Sequence, residues 1–127
     1  MHKLMIFIPS TAAGPFLDDG WPEFLHHAEA MPGLLREATS QVEQHLVGDL
    51  RFSRVHELFF ENRAALQSAM GSPAGMEAGR VLQQITRGQV TLLIAEHHED
   101  SIENLMQYRQ QQTQKQAFRS EQKPRKG

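Results

Sequence analysis

The stretch Gly48-Asp49-Leu50-Arg51-Phe52-Ser53-Arg54-Val55-His56-Glu57-Leu58-Phe59-Phe60-Glu61-Asn62 decides the fold. Gly48-Asp49 is a turn signal, because both residues tolerate the positive φ that tight turns need. Arg51–Glu61 is dense in β-branched and aromatic residues, which fit a pleated, half-buried surface and predict a strand. Asn62 then offers a side-chain oxygen to the free N–H groups of a following helix. Turn, strand and cap in succession predict a hairpin whose second arm leads straight into a helix.

Working back from the turn, Leu34, Ala38, Val42 and Leu46 have a spacing that fits either period. The Pro32-Gly33 breaker before them and the turn after them favour a strand over 34–46, the hairpin partner. Upstream of the breaker, Trp21, Phe24, Leu25, Ala28 and Met31 share one stripe at about 100° per residue, which predicts a helix from Trp21 to Met31 with Pro22 in its first turn. Leu4-Met5-Ile6-Phe7-Ile8, closed by Pro9, predicts a first buried strand over His2–Ile8. Downstream, Arg63–Met70 is helical, Gly71-Ser72-Pro73 interrupts it, and Ala74–Thr86 resumes with Met76, Val81, Leu82 and Ile85 facing inward. Gln89–Glu96 predicts a last, buried strand.

The order β-α-β-β-α-β is the ferredoxin-like arrangement, an α+β antiparallel sheet with both helices on one face. Such a sheet has an uncovered apolar face, so two subunits are expected to pack sheet to sheet as a homodimer.

The 127 residues, 39% of them hydrophobic, suit one small core, placed over residues 1–98. Residues 99–127 differ: they are polar and glutamine-rich, with an expected helix from Ile102, capped by Ser101, to about Phe118 and a solvated tail after Ser120. A net charge of −2 gives no reason to expect nucleic acid or a membrane surface as a partner. It conceals an asymmetry: residues 98–127 carry six Lys/Arg against four Asp/Glu, the remainder seven against eleven. Without cysteine there are no disulfides, thiolate nucleophiles or cysteine-based zinc sites. The apolar run Leu4–Pro9 is too short for a signal-peptide core or a membrane span, and the expectation is a soluble, cytoplasmic protein.

His27 lies on the flank of the helical stripe, where a core meets a possible cavity, whereas His26 points to water. Imidazole is the side chain whose ordinary range brackets neutral pH, so a histidine there suits general acid–base work, or is simply a packed structural residue. His56 shares a strand face with Phe52, Arg54, Leu58 and Phe60, placing an imidazole beside a guanidinium that could hold a carboxylate or enolate. The alternative is that His56 and Arg54 are polar residues of the dimer interface. His45 could face His56 across the hairpin. His97 and His98 point to opposite sides of an extended chain and cannot readily chelate one ion, so no metal is expected. Zinc-protease, phosphate-loop and nucleophile-elbow motifs are all missing.

Phe24, His27-Ala28, Met31-Pro32-Gly33-Leu34, Glu57-Leu58-Phe59-Phe60-Glu61-Asn62, Ala65-Leu66 and Ser72-Pro73-Ala74-Gly75, in this order and spacing, resemble the EthD family of the dimeric α+β barrel superfamily, over about residues 2–97. The resemblance implies a homodimer with a small pocket between each subunit's sheet and helices. Relatives include proteins encoded beside oxidative degradation systems, lactone isomerases and cofactor-free oxygenases. The family's recurrent histidine after the helical Phe matches His27 and its third-strand Phe matches Phe60. With the strand-face reading, the candidates are His27 and His56 as catalytic residues and Phe24, Arg54, Phe60 and Phe7 as contacts for a small, mostly apolar organic compound, with no cofactor expected. Leu35-Arg36-Glu37-Ala38 is less apolar than relatives tend to be. The polar extension after the fourth strand opens a second reading, a non-catalytic accessory protein whose tail contacts a partner.

Overall fold

The structure is a computed structural model that describes residues 1–100, 102, 103, 106 and 109–113. The chain divides into two compact units, Met1–His97 and His98–Gly127. The first unit runs β1 (His2–Pro9), a single 3-10 turn (Ser10–Ala12), α1 (Pro15–Glu29), β2 (Arg36–Gln41), β3 (Phe52–Phe60), α2 (Arg63–Gly71), α3 (Pro73–Ile85) and β4 (Thr91–Glu96). The four strands form one antiparallel sheet in the order β2-β3-β1-β4, so the expected ferredoxin-like topology is what the chain adopts.

Alternation along the strands sorts the two faces. Leu4, Ile6 and Ile8 of β1 and Leu58 and Phe60 of β3 join Leu17, Trp21, Phe24 and Ala28 of α1, and Val81, Leu82 and Ile85 of α3, in one core. All three helices therefore cover one face. The other carries Lys3, Met5 and Phe7 of β1 opposite Phe59, Glu57 and Val55 of β3, with a Lys3–Glu57 ion pair at 2.7 Å and Arg36 over the Phe59 ring at 4.1 Å.

Helix α1 starts at Pro15 rather than at Trp21. The chain has two prolines compatible with a first turn, and Pro15 follows Gly14, whose φ of +137° is open to glycine, whereas Pro22 is accommodated inside the helix on its exposed side. Strand β2 stops at Gln41, and residues 42–51 form a loop through Gly48 at φ +107°. Asn62 caps α2 by accepting from Ala65 N at 2.8 Å, as expected. Ser72 ends α2 and caps α3, accepting from Gly75 N at 3.1 Å. Met76 is not an inward residue, being 66% exposed. Nor is β4 buried: Leu92, Leu93 and Ile94 remain partly open, because β4 is an edge strand.

In the second unit, residues 102, 103, 106 and 109–113 are helical, and the Thr113 hydroxyl donates to Arg109 O at 3.0 Å. The expected helix end near Phe118 and the tail beyond Ser120 lie outside the described residues. Among the described residues no helix is long and apolar enough to cross a membrane.

Candidate active site

β3 lies between β2 and β1, so a side chain on its helix-facing side has strands to either side and α1 above. His56 occupies that position, between Thr39 of β2 and Ile6 of β1. It is 0% exposed. Trp21 and Phe24 present their rings edge-on to the imidazole at 5.4 and 5.8 Å between centroids. Both ring nitrogens are engaged: Nδ1 lies 2.7 Å from Thr39 Oγ1 and Nε2 lies 3.2 Å from Glu37 Oε2. Burial, with the Arg54 charge adding to it, depresses the imidazole to about 4, against opposing influence from Glu29 and Glu57. His56 is therefore neutral at neutral pH, and its contact with Glu37 is a hydrogen bond rather than an ion pair. A neutral ring has one donor and one acceptor nitrogen. When Glu37 is ionised, the Thr39 hydroxyl donates to Nδ1 and Nε2–H donates to Glu37.

Glu37 is opposite Leu58 in register, on the same face as His56. Its carboxyl is raised to about 7, first by burial and then by Glu29, through a shared hydrogen bond and through like charge. Two residues along β3 from His56, the Arg54 guanidinium donates through Nη2 to Asp18 Oδ1 at 2.8 Å and stacks over Trp21 at 4.5 Å. Its Nε and Nη1 are buried without a hydrogen-bond partner.

Phe24 also lines an apolar cavity of about 200 Å³, walled by Leu4, Ile6 and Leu58 of the sheet, by Met31, Met70 and Met76, and by Gly79 and Leu92. Thioether side chains adapt to ligands of different outline. Phe24 serves both places, lining the cavity and meeting His56 edge-on.

The structure thus brings together His56, Arg54 and Phe24 from the candidates drawn from the sequence. His27 is elsewhere: half-buried on α1, its ring 5.3 Å from His26. It is close to Glu77 of α3, which Arg80 chiefly, and His27 to a lesser degree, hold below the usual carboxylate range. His27 does not line the apolar cavity. Phe60 is a fully buried core residue. Phe7 is on the helix-free face, its ring 5.4 Å from Phe52. Thr39, not His45, faces His56. His45 is in the loop, where its Nε2 accepts from Phe52 N at 2.9 Å. His97 packs edge-on against Phe59. Sequence reasoning missed Glu37, Thr39 and Glu29. The signal was the two-residue spacing of Glu37 and Thr39, which puts both on one strand face. Among the described residues no group of three or more His, Asp or Glu is placed to hold a metal ion.

Neither a protein-family model nor a curated protein matches the chain. Solved structures do. An EthD family protein from Bacillus halodurans is 20% identical and superposes with a TM-score of 0.64 over 77% of this chain and 99% of its own. A dimeric ferredoxin-like protein of unknown function from Jannaschia is 19% identical, with a TM-score of 0.59 over 76% of this chain and 97% of its own. SnoaB, a cofactor-independent oxygenase from Streptomyces nogalater, is 13% identical, with a TM-score of 0.55 over 80% of this chain and 94% of its own. In its first unit the chain therefore has the ferredoxin-like α+β fold of these structures, an EthD family protein among them.

Proposed function

We propose that the chain is a homodimeric small-molecule enzyme that holds a small, mostly apolar organic compound between sheet and helices and acts on it by acid–base chemistry without a cofactor. The observation that carries this reading is the juxtaposition of a buried, doubly hydrogen-bonded imidazole with an apolar cavity, one phenylalanine apart. Solvent-poor surroundings strengthen each polar contact, and convergent polar groups beside an apolar hollow are the usual form of a ligand site. The fold shared with a cofactor-independent oxygenase supports cofactor-free oxidation as the other chemistry of such a pocket, but fold alone does not choose between them. We assign the acid–base role to the His56 cluster rather than to His27, because His56 adjoins Phe24 and Ile6 of the cavity wall. Arg54 is the group proposed to hold a developing negative charge.

A hollow of this size accepts about one six-membered ring. Cyclohexanone is a suitable probe, with an expected Kd of about a millimolar. Its titration should move the methyl resonances of Leu4, Ile6 and Leu58 and saturate. Gly79 borders the cavity, and a Cβ added there meets nothing within 4 Å. Gly79→Leu should therefore fill the space, abolish the shifts and leave the fold intact. Shifts that persist unchanged in that variant, or none in the native protein, would contradict the pocket.

A further inference from the structure

We infer that Glu37, not His56, is the group of this site that exchanges protons with a bound molecule, taking one from a carbon next to a carbonyl, and that His56 is its positioning residue. The inference rests on the acid–base reading above and sharpens it.

His56 has no free atom to offer. Trp21 and Phe24 close the ring from α1, Thr39 and Glu37 occupy its two nitrogens, and none of it is exposed. A proton can leave or enter the cluster only through a partner. The Thr39 hydroxyl is far too weak an acid, so the outlet is Glu37, whose side chain is 28% exposed on edge strand β2. Leu58, opposite Glu37 in register, is part of the cavity wall, so the strand position of Glu37 is next to that of a lining residue.

The groups that face this carboxyl are Glu29 from α1 and His56 on β3, with Arg54 two residues along the same face, whereas Glu57, paired with Lys3, points to the other side of the sheet. Burial and the neighbouring Glu29 charge both disfavour ionisation of Glu37, which keeps its proton until close to neutrality. A carboxyl half-ionised at neutral pH is competent as base and, once loaded, as acid. The step balances without a co-reactant. A Glu37 oxygen takes the α proton, the C–H pair moves into the carbonyl to give an enolate, and the now neutral carboxylic acid returns the proton to a different carbon, shifting a double bond. Nε2–H of His56 holds the other carboxyl oxygen throughout.

The probe is 3-cyclohexen-1-one, whose conversion to the conjugated 2-isomer is followed by ultraviolet absorbance. The native full-length chain should accelerate this at least about 100-fold over buffer, with a rate that rises with pH through a midpoint near 7. Glu37→Gln should return the rate to background while the probe still binds. His56→Leu should move the midpoint upward and leave the high-pH plateau within about tenfold, which a merely structural role would not do. Carbon-13 NMR of the Glu37 carboxyl supplies an independent readout, with an expected midpoint near 7. A midpoint in the ordinary carboxylate range, a bound probe turned over at the buffer rate, or full activity in Glu37→Gln would overturn the inference. A probe that fails to bind while Glu37 titrates near 7 would instead remove the ligand pocket and leave the assignment of the proton-carrying group standing.

Discussion

Glu37 and His56 impose opposite pH dependences on stability, and the sign of each follows from its shift. The folded-state value of Glu37 is raised, about 7 against 4.5, so its contribution is fully present below about 4.5 and is lost as pH rises through 7. That of His56 is lowered, about 4 against 6.5, so its contribution is present above 6.5 and is lost as pH falls to 4. Between 4.5 and 6.5 each slope is roughly 1.4 kcal/mol per pH unit with opposite sign, and the pair is nearly neutral. Burial and Arg54, the chief causes of the His56 shift, survive removal of Glu37. Glu37→Gln should therefore gain about 1.4 kcal/mol per pH unit across that window relative to the native chain, measured by urea unfolding. Parallel curves would contradict the coupling. At this scale the sequence reveals that His56, Arg54, Leu58 and Phe60 share a face, because alternation is local. It does not reveal that Thr39 and Glu37 complete the cluster, because cross-strand partners depend on where β2 ends.

At the scale of elements, glycines set how closely the helices approach. A Cβ on Gly75 would be 2.1 Å from Ala69 O, a backbone atom that cannot rotate away, where α3 leaves α2. Gly75→Ala should cost about 1–3 kcal/mol, whereas Gly79→Ala, with open space around it, should gain about 0.5–1 kcal/mol from helix propensity alone. Thermal melts of the two variants should move in opposite directions, and equal melting temperatures would contradict the packing. Element order, the Asn62 cap and the break at Gly71-Ser72-Pro73 were legible because each depends on a few adjacent residues, whereas the capping role of Ser72 is seen only in the structure. The start of α1 was not, since Pro15 and Pro22 both suit a first helical turn and tertiary burial of Leu17 decides between them. The end of β2 was obscured by Val42 and Leu46, apolar residues that continue the spacing into a loop.

At the scale of the molecule, the helix-free face joins Met5 and Phe7 to Val55 and Leu93, with Leu93 49% exposed on a single chain. Apolar surface on an open sheet face is the feature a second copy would bury. Leu93→Asp should therefore weaken self-association while leaving the fold intact, since that side chain is half in water already. The proposed dimer and its pocket form the centre of this account, and native mass spectrometry of the full chain at low micromolar concentration tests both in one spectrum. The predicted result is a dimer that takes up cyclohexanone. A monomer with no adduct would contradict it.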